Sequence, residues 1–162
     1  DILREERELS DRVGAKYWVD GLPTSDLEEI RINTKKILDL MLCNKFPNAI
    51  KIIENTLLLT TSPSERSALL LMMGNCKYFL GKYDEAQKYY GDSIKILQRT
   101  SKEESFFGKS AALGNIGLIY RAKGDLDNAL KYLKRALKIL DRFNLEYGRG
   151  IILDAIDSIG TR

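Results

Sequence analysis

Leu113–Leu140, LGNIGLIYRAKGDLDNALKYLKRALKIL, decides the fold. It reads as two helices joined by a tight turn. The first, Leu113–Ala122, puts Ile116, Ile119 and Tyr120 on one face. Gly124 breaks it, where a left-handed backbone costs glycine nothing. The second helix runs from about Asp127, with Ala129, Leu133, Ala136 and Leu137 recurring every three or four residues. Gly117 and Ala129 are small at the points where the two helix backbones must approach closely.

Working outward, the same marks return at a fixed distance. Gly74 to Gly117, Gly81 to Gly124 and Ala86 to Ala129 are each 43 residues. Gly117 to Gly160 is 43 again, which predicts a further first helix over 147–160. Towards the N-terminus, Phe46 to Tyr83 and Ala49 to Ala86 are each 37. Helix starts are marked as well. Ser25-Asp26-Leu27-Glu28, Ser62-Pro63-Ser64-Glu65 and Ser101 with Glu104 are capping boxes, a serine followed three residues later by glutamate. Pro47 stands in the first turn of a helix, where its missing N–H costs little. The first repeat is degenerate: Ile37 occupies the small-residue position and Asn44 replaces the turn glycine.

Ile116-Gly117, Tyr120, Gly124, Ala129, Leu133 and Ala136-Leu137 together resemble the tetratricopeptide repeat (TPR). The resemblance covers about Ser25–Gly160. Its period exceeds the usual ~34 residues and is similar to that of kinesin light chains, Pins/LGN adaptors and bacterial Rap-type regulators. It implies an all-α, helix-turn-helix solenoid of three repeats plus a terminal helix. The array would occupy 25–162, with repeats over about 25–60, 63–99 and 102–142 and a final helix over 147–160. Residues 1–24 resemble no known motif. Leu3, Leu9 and Val13 give a weak apolar face ahead of Tyr17 and Trp18, so an extra helix is expected there rather than a linker.

Composition narrows the function. The chain has 162 residues, 44% of them hydrophobic, enough to bury a core. Its net charge of +3 spread over 30% charged residues is a mixed surface, not the excess of a nucleic-acid binder. It has no histidine, which removes the commonest general base and most zinc sites. Cys43 and Cys76 both fall inside expected helices without metal-ligand spacing and read as two buried thiols in a reducing cytoplasm. No apolar run approaches the ~20 residues of a membrane helix. No nucleophile–base pair, phosphate loop or carboxylate dyad appears. The expectation is a cytoplasmic scaffold that is not an enzyme and carries no cofactor.

The resemblance further implies that the first helices line a concave groove that holds a partner peptide. Carried over residue by residue, the groove would draw on Arg31, Thr34, Lys35, Leu38 and Met41, then Ala68, Leu71, Met72, Asn75, Tyr78 and Phe79. Ala111, Gly114, Asn115, Leu118, Arg121 and Ala122 would follow, and the last helix would add Asp154, Asp157 and Ser158. Within this set Asn75 and Asn115 stand out as a pair at matching positions. An amide inside a helix adds no apolar burial, yet it donates and accepts at once, as clamping a peptide backbone requires. The alternative use is a hydrogen bond within the solenoid. Met72, Tyr78, Phe79 and Leu118 would form an apolar floor, and Lys35 and Arg121 would meet acidic ligand residues. The carboxylate clamp of chaperone-binding TPRs also needs basic residues where Leu71, Asp154 and Ser158 stand. Chaperone tails are therefore not expected.

Lys131, Lys134, Arg135, Lys138 and Arg142 form a basic stripe on the outer face. With no aromatic residues read as interleaved and with Asp127 and Asp141 diluting the charge, it is expected to be a solvated surface rather than a nucleic-acid site. The partner expected is a protein or peptide. A second reading makes the chain the sensor or arm of a larger regulatory protein, an NTPase or transcription regulator, because it opens on Asp1 and leaves a fourth repeat unfinished. Ile151, Ile152, Leu153, Ala155, Ile156 and Ile159 surround the final helix, with only Asp154, Asp157 and Ser158 polar. This predicts a fragment of a longer array, or self-association through this C-terminal helix.

Overall fold

Seven helices follow from these signals in a computed structural model that describes residues 28–99, 103–146 and 148–160. They are α1 Glu28–Leu42, α2 Phe46–Leu59, α3 Pro63–Phe79, α4 Tyr83–Leu97, α5 Glu103–Ala122, α6 Leu126–Arg142 and α7 Arg149–Gly160. The segment 1–24 and the capping boxes at Ser25 and Ser101 lie outside the described residues. No strand occurs among the described residues. The fold is an all-α solenoid of helix-turn-helix repeats.

The turn inside each repeat is built the same way. Asn44, Gly81 and Gly124 have φ of 60°, 77° and 83°. The residue after each donates back to the carbonyl five residues earlier: Lys45 to Leu40 at 2.8 Å, Lys82 to Lys77 and Asp125 to Tyr120 at 2.9 Å. These 6→1 bonds satisfy carbonyls that the helix end leaves open. Asparagine serves in the first repeat because it tolerates the left-handed region better than most residues. At the start of α3, Ser62 caps the Glu65 N–H at 3.4 Å. The Glu65 carboxylate is buried, and the Thr60 hydroxyl donates to it at 2.6 Å. Asp125 caps α6 by accepting from the Asn128 N–H at 3.2 Å.

Each apolar core joins one repeat to the first helix of the next. Ile37 and Met41 of α1, Phe46, Ala49 and Ile53 of α2, and Leu69, Met72, Met73 and Cys76 of α3 form the first. The second joins Leu71 of α3 with Ala86 and Tyr90 of α4 and Ala112, Ile116 and Ile119 of α5. The third joins Leu113 of α5 with Ala129, Leu133, Ala136 and Leu140 of α6 and Ile152, Ala155 and Ile159 of α7. No repeat buries its apolar stripe without a neighbour, which is the physical basis of a solenoid.

Close approach within a repeat depends on glycine. A Cβ on Gly74 would lie 2.6 Å from the Tyr90 ring, and one on Gly117 would lie 2.7 Å from Leu133 Cγ. Both large residues follow their glycine by 16 positions. In the first repeat the corresponding pair is Ile37 and Ile53, both fully buried in one cluster, so two medium side chains replace a large one and a hole.

The terminal helix differs from the expectation at its start. It begins at Arg149 rather than at 147, because Gly148 has φ +74° and cannot continue a helix. Ile152, Ala155 and Ile159 are buried, Ile151 and Ile156 are half-buried and Leu153 is exposed. A Cβ at Gly160 would meet nothing within 4 Å, unlike those at Gly74 and Gly117.

Two glycine substitutions therefore act in opposite directions. Gly117→Ala forces Leu133 aside and is expected to destabilise the fold by about 1–3 kcal/mol. Gly91→Ala, inside α4 with nothing within 4 Å of the new methyl, is expected to stabilise it by about 0.5–1 kcal/mol. Urea denaturation midpoints of the two variants check both signs.

Candidate functional site

The first helices approach one another along the array, α3 against α5 and α5 against α7. The second helices α2, α4 and α6 make no comparable contact among the described residues. Elements on the inside of a curved stack come closest, so the first helices form the inner wall and the second helices the outer one.

On the inner wall the two asparagines meet. Asn115 Nδ2 donates to Asn75 Oδ1 at 3.1 Å. The same oxygen accepts from the Tyr90 hydroxyl at 2.6 Å. Asn75 is buried and Tyr90 fully so, whereas Asn115 is half-buried. The pair is not at matching positions: the asparagines are 40 residues apart where the repeat is 43, so Asn115 corresponds to Met72 and Asn75 to Leu118. That offset of about one helical turn places one amide against the other across the repeat boundary. The Asn75 carbonyl is thus committed inside the solenoid and knits α3, α4 and α5 together.

Tyr90 is the residue that sequence reasoning missed. Its ring fills the hole at Gly74, and its hydroxyl reaches the neighbouring Asn75. The available signal was tyrosine at the position where the next repeat has Leu133, since a buried tyrosine needs a partner for its hydroxyl.

The remaining candidates separate into three groups. Met72 is 4% exposed and belongs to the first core, so it is no part of an open floor. Thr34 and Met41 of α1 are likewise buried, and the Thr34 hydroxyl returns to the Ile30 carbonyl at 2.7 Å. Tyr78 and Phe79 are half-buried. Their rings meet edge-on at 5.4 Å, and Phe79 also stacks on Phe46 at 5.3 Å. Leu118 is half-buried against the third core. Arg121 Nη1 donates to Ser158 Oγ at 3.3 Å, tying α5 to α7. Lys35 is exposed on α1. The structure therefore brings Asn75, Asn115 and Tyr90 together and Arg121 to Ser158, and leaves Lys35 apart from both groups.

Residues 64–142 match the tetratricopeptide repeat family. The match spans α3 to α6 with both glycine-and-large pairs and the turns at Gly81 and Gly124. It takes in just under half of the chain. Among curated proteins none is similar enough to count as a match. The first repeat, with Ile37 and Asn44 in place of glycines, and α7 fall outside the TPR match.

Among the described residues no group of three His, Cys, Asp or Glu is placed to hold a metal ion. None of their helices is long and apolar enough to cross a membrane. Cys76 is buried as expected, whereas Cys43 is exposed because α1 ends at Leu42 and Cys43 lies in the turn beyond it; neither cysteine is in a disulfide.

Removing the Tyr90 hydroxyl tests the amide relay. Tyr90→Phe keeps the ring in the Gly74 hole and is expected to cost about 1 kcal/mol in chemical denaturation. A cost indistinguishable from zero would remove Tyr90 from the relay.

Proposed function

We propose that this chain is a protein–protein interaction module whose inner wall receives a peptide segment of a partner. The observation that carries the reading is the state of Asn115. One of its N–H groups is committed to Asn75, and its carbonyl oxygen has no partner among the described residues. A half-buried amide held by a buried neighbour is oriented before a ligand arrives, which reduces the entropy cost of binding. It can accept from a peptide N–H while its second N–H donates to a peptide carbonyl. Leu118 lies one turn further along α5 and offers apolar contact, and Arg121 beyond it offers charge. Asn75 then acts through Asn115 rather than by touching the peptide.

The tetratricopeptide match over residues 64–142 supports this reading. An exposed Cys43 thiol outside any disulfide fits a reducing compartment such as the cytoplasm.

A random-sequence peptide display library panned on the chain provides the test. Enriched peptides are expected to bind Asn115→Ala about tenfold more weakly, the loss of roughly one charge-free hydrogen-bonded contact. Lys95→Ala on the outer wall should leave binding unchanged. Equal affinity for the wild type and for Asn115→Ala, with thermal stability intact, would sink the assignment of Asn115 to the peptide site.

A further inference from the structure

The positive charge of this protein is concentrated on one helix face. Helix α6 carries five cations and two carboxylates, a surplus of three that equals the formal net charge of the whole chain. Lys131, Lys134, Arg135, Lys138 and Arg142 are all exposed. At 100° and 1.5 Å per residue they fall within an arc of about 100° and along about 16 Å of the helix. Among the described residues none of the five has an ion-pair partner, and Asp141 is paired to Arg149 instead.

The equivalent outer helix of the preceding repeat is different. Helix α4 carries Asp84, Glu85 and Asp92 against Lys88 and Lys95. Two of its carboxylates are engaged, Glu85 by Lys77 at 3.6 Å and Asp84 by Lys123. Both helices pack equally well on their repeats, so solenoid packing does not require the cationic row. Exposed Asp127, one turn before Lys131, falls in the same arc, so the row holds five cations against one carboxylate, and the like charges at Lys131/Arg135, Lys134/Lys138 and Lys138/Arg142 still repel one another.

We propose that the outer face of α6 is a second docking surface, one that takes an acidic stretch of polypeptide about three helical turns long. Charge complementarity sets the sign of the occupant, and the surroundings set its class. Tyr132 and Phe143 lie beside the row, contrary to the expectation that aromatic residues are absent from it. Tyr132 stacks on Tyr120 and carries Arg135 at 5.4 Å. Phe143 stacks on Phe106 at 4.0 Å and carries Arg142 at 5.4 Å. Rings engaged in this way leave no open platform for a nucleic-acid base. They hold two guanidinium groups in place, which favours the planar, two-point recognition of carboxylates.

The row is also narrow. The outer helix of the preceding repeat carries Asp84, Glu85 and Asp92 against two lysines, so the cationic surface does not continue onto it as a broad anionic partner would favour. No apolar side chain of α6 is exposed, so the face offers nothing to insert into lipid. This surface lies on the outer wall, opposite the peptide site proposed above.

The test uses a fluorescent poly-L-glutamate of about 20 residues, a length chosen to exceed three helical turns. It is expected to bind the chain at low salt and to weaken steeply as salt is added. Lys131→Glu/Lys134→Glu/Lys138→Glu should reduce its affinity at least tenfold. Lys51→Glu/Lys88→Glu/Lys95→Glu changes net charge equally at exposed sites of α2 and α4 and should change affinity less than threefold. Circular dichroism confirms that both triple variants remain folded. Asn115→Ala should not affect polyglutamate, which separates this surface from the inner wall. Equal losses in the two triple variants would overturn the proposal, because binding would then follow net charge rather than the row. Tighter binding of oligouridylate or of phosphatidylserine vesicles than of polyglutamate, by tenfold or more, would overturn it in favour of nucleic acid or lipid.

Discussion

The insertion of one large side chain into the space above a glycine, within each matched repeat, is the contact on which the remaining geometry depends. Tyr90 over Gly74 and Leu133 over Gly117 fill space that a Cβ on either glycine would occupy, so the two helices of a repeat pack as closely as those large side chains permit. Ala86 and Ala129, on the same helices as the inserted side chains, are completely buried. The left-handed turns at Gly81 and Gly124 serve the same end, since they return the chain at the distance that the inserted side chain requires. Where the first repeat lacks the glycine, Ile37 and Ile53 fill the same interface between them.

The close approach also has a chemical consequence. With the Tyr90 ring lying on Gly74, its hydroxyl emerges beside Asn75 and commits that amide to the interior. A buried amide oxygen with two donors is well satisfied, and it fixes the orientation of whatever donates to it. Asn115 is thereby held from one side and remains free to act on the other. The inner wall has two kinds of polar residue: those that knit repeats together, such as Asn75 and Ser158, and those whose remaining valences face outward. The exposed faces of the outer helices carry long charged side chains, and their charge differs between α4 and α6 while both helices bury an alanine and a large side chain in the cores. That difference is why the composition of α6 carries information about binding that its packing does not.

Much of the fold was legible in the sequence. The 43-residue spacing of Gly74 and Gly117, of Gly81 and Gly124 and of Ala86 and Ala129 located the helix pairs, their turns and the small-residue contacts. Asn44 was recognisable as a turn residue because few other side chains tolerate its φ of 60°. These are local or intra-repeat properties, and chain periodicity records them directly. The candidate site was legible only as a set of first-helix residues. Met72 is as apolar as a floor residue should be, yet it points into the first core.

The sequence by itself determined which residues are helical, where the chain turns and which faces are apolar, since backbone sterics and the 3.6-residue period act within short stretches. Tertiary structure alone decided how one repeat is set against the next. The meeting of Asn75 with Asn115 at a 40-residue separation, the bond from Arg121 to Ser158 and the start of α7 at Arg149 all depend on how successive helices lie against one another. That arrangement is the sum of many side-chain volumes at the repeat boundary. No single residue encodes it, so the one-turn offset that brings Asn115 Nδ2 to Asn75 Oδ1 is invisible in the period.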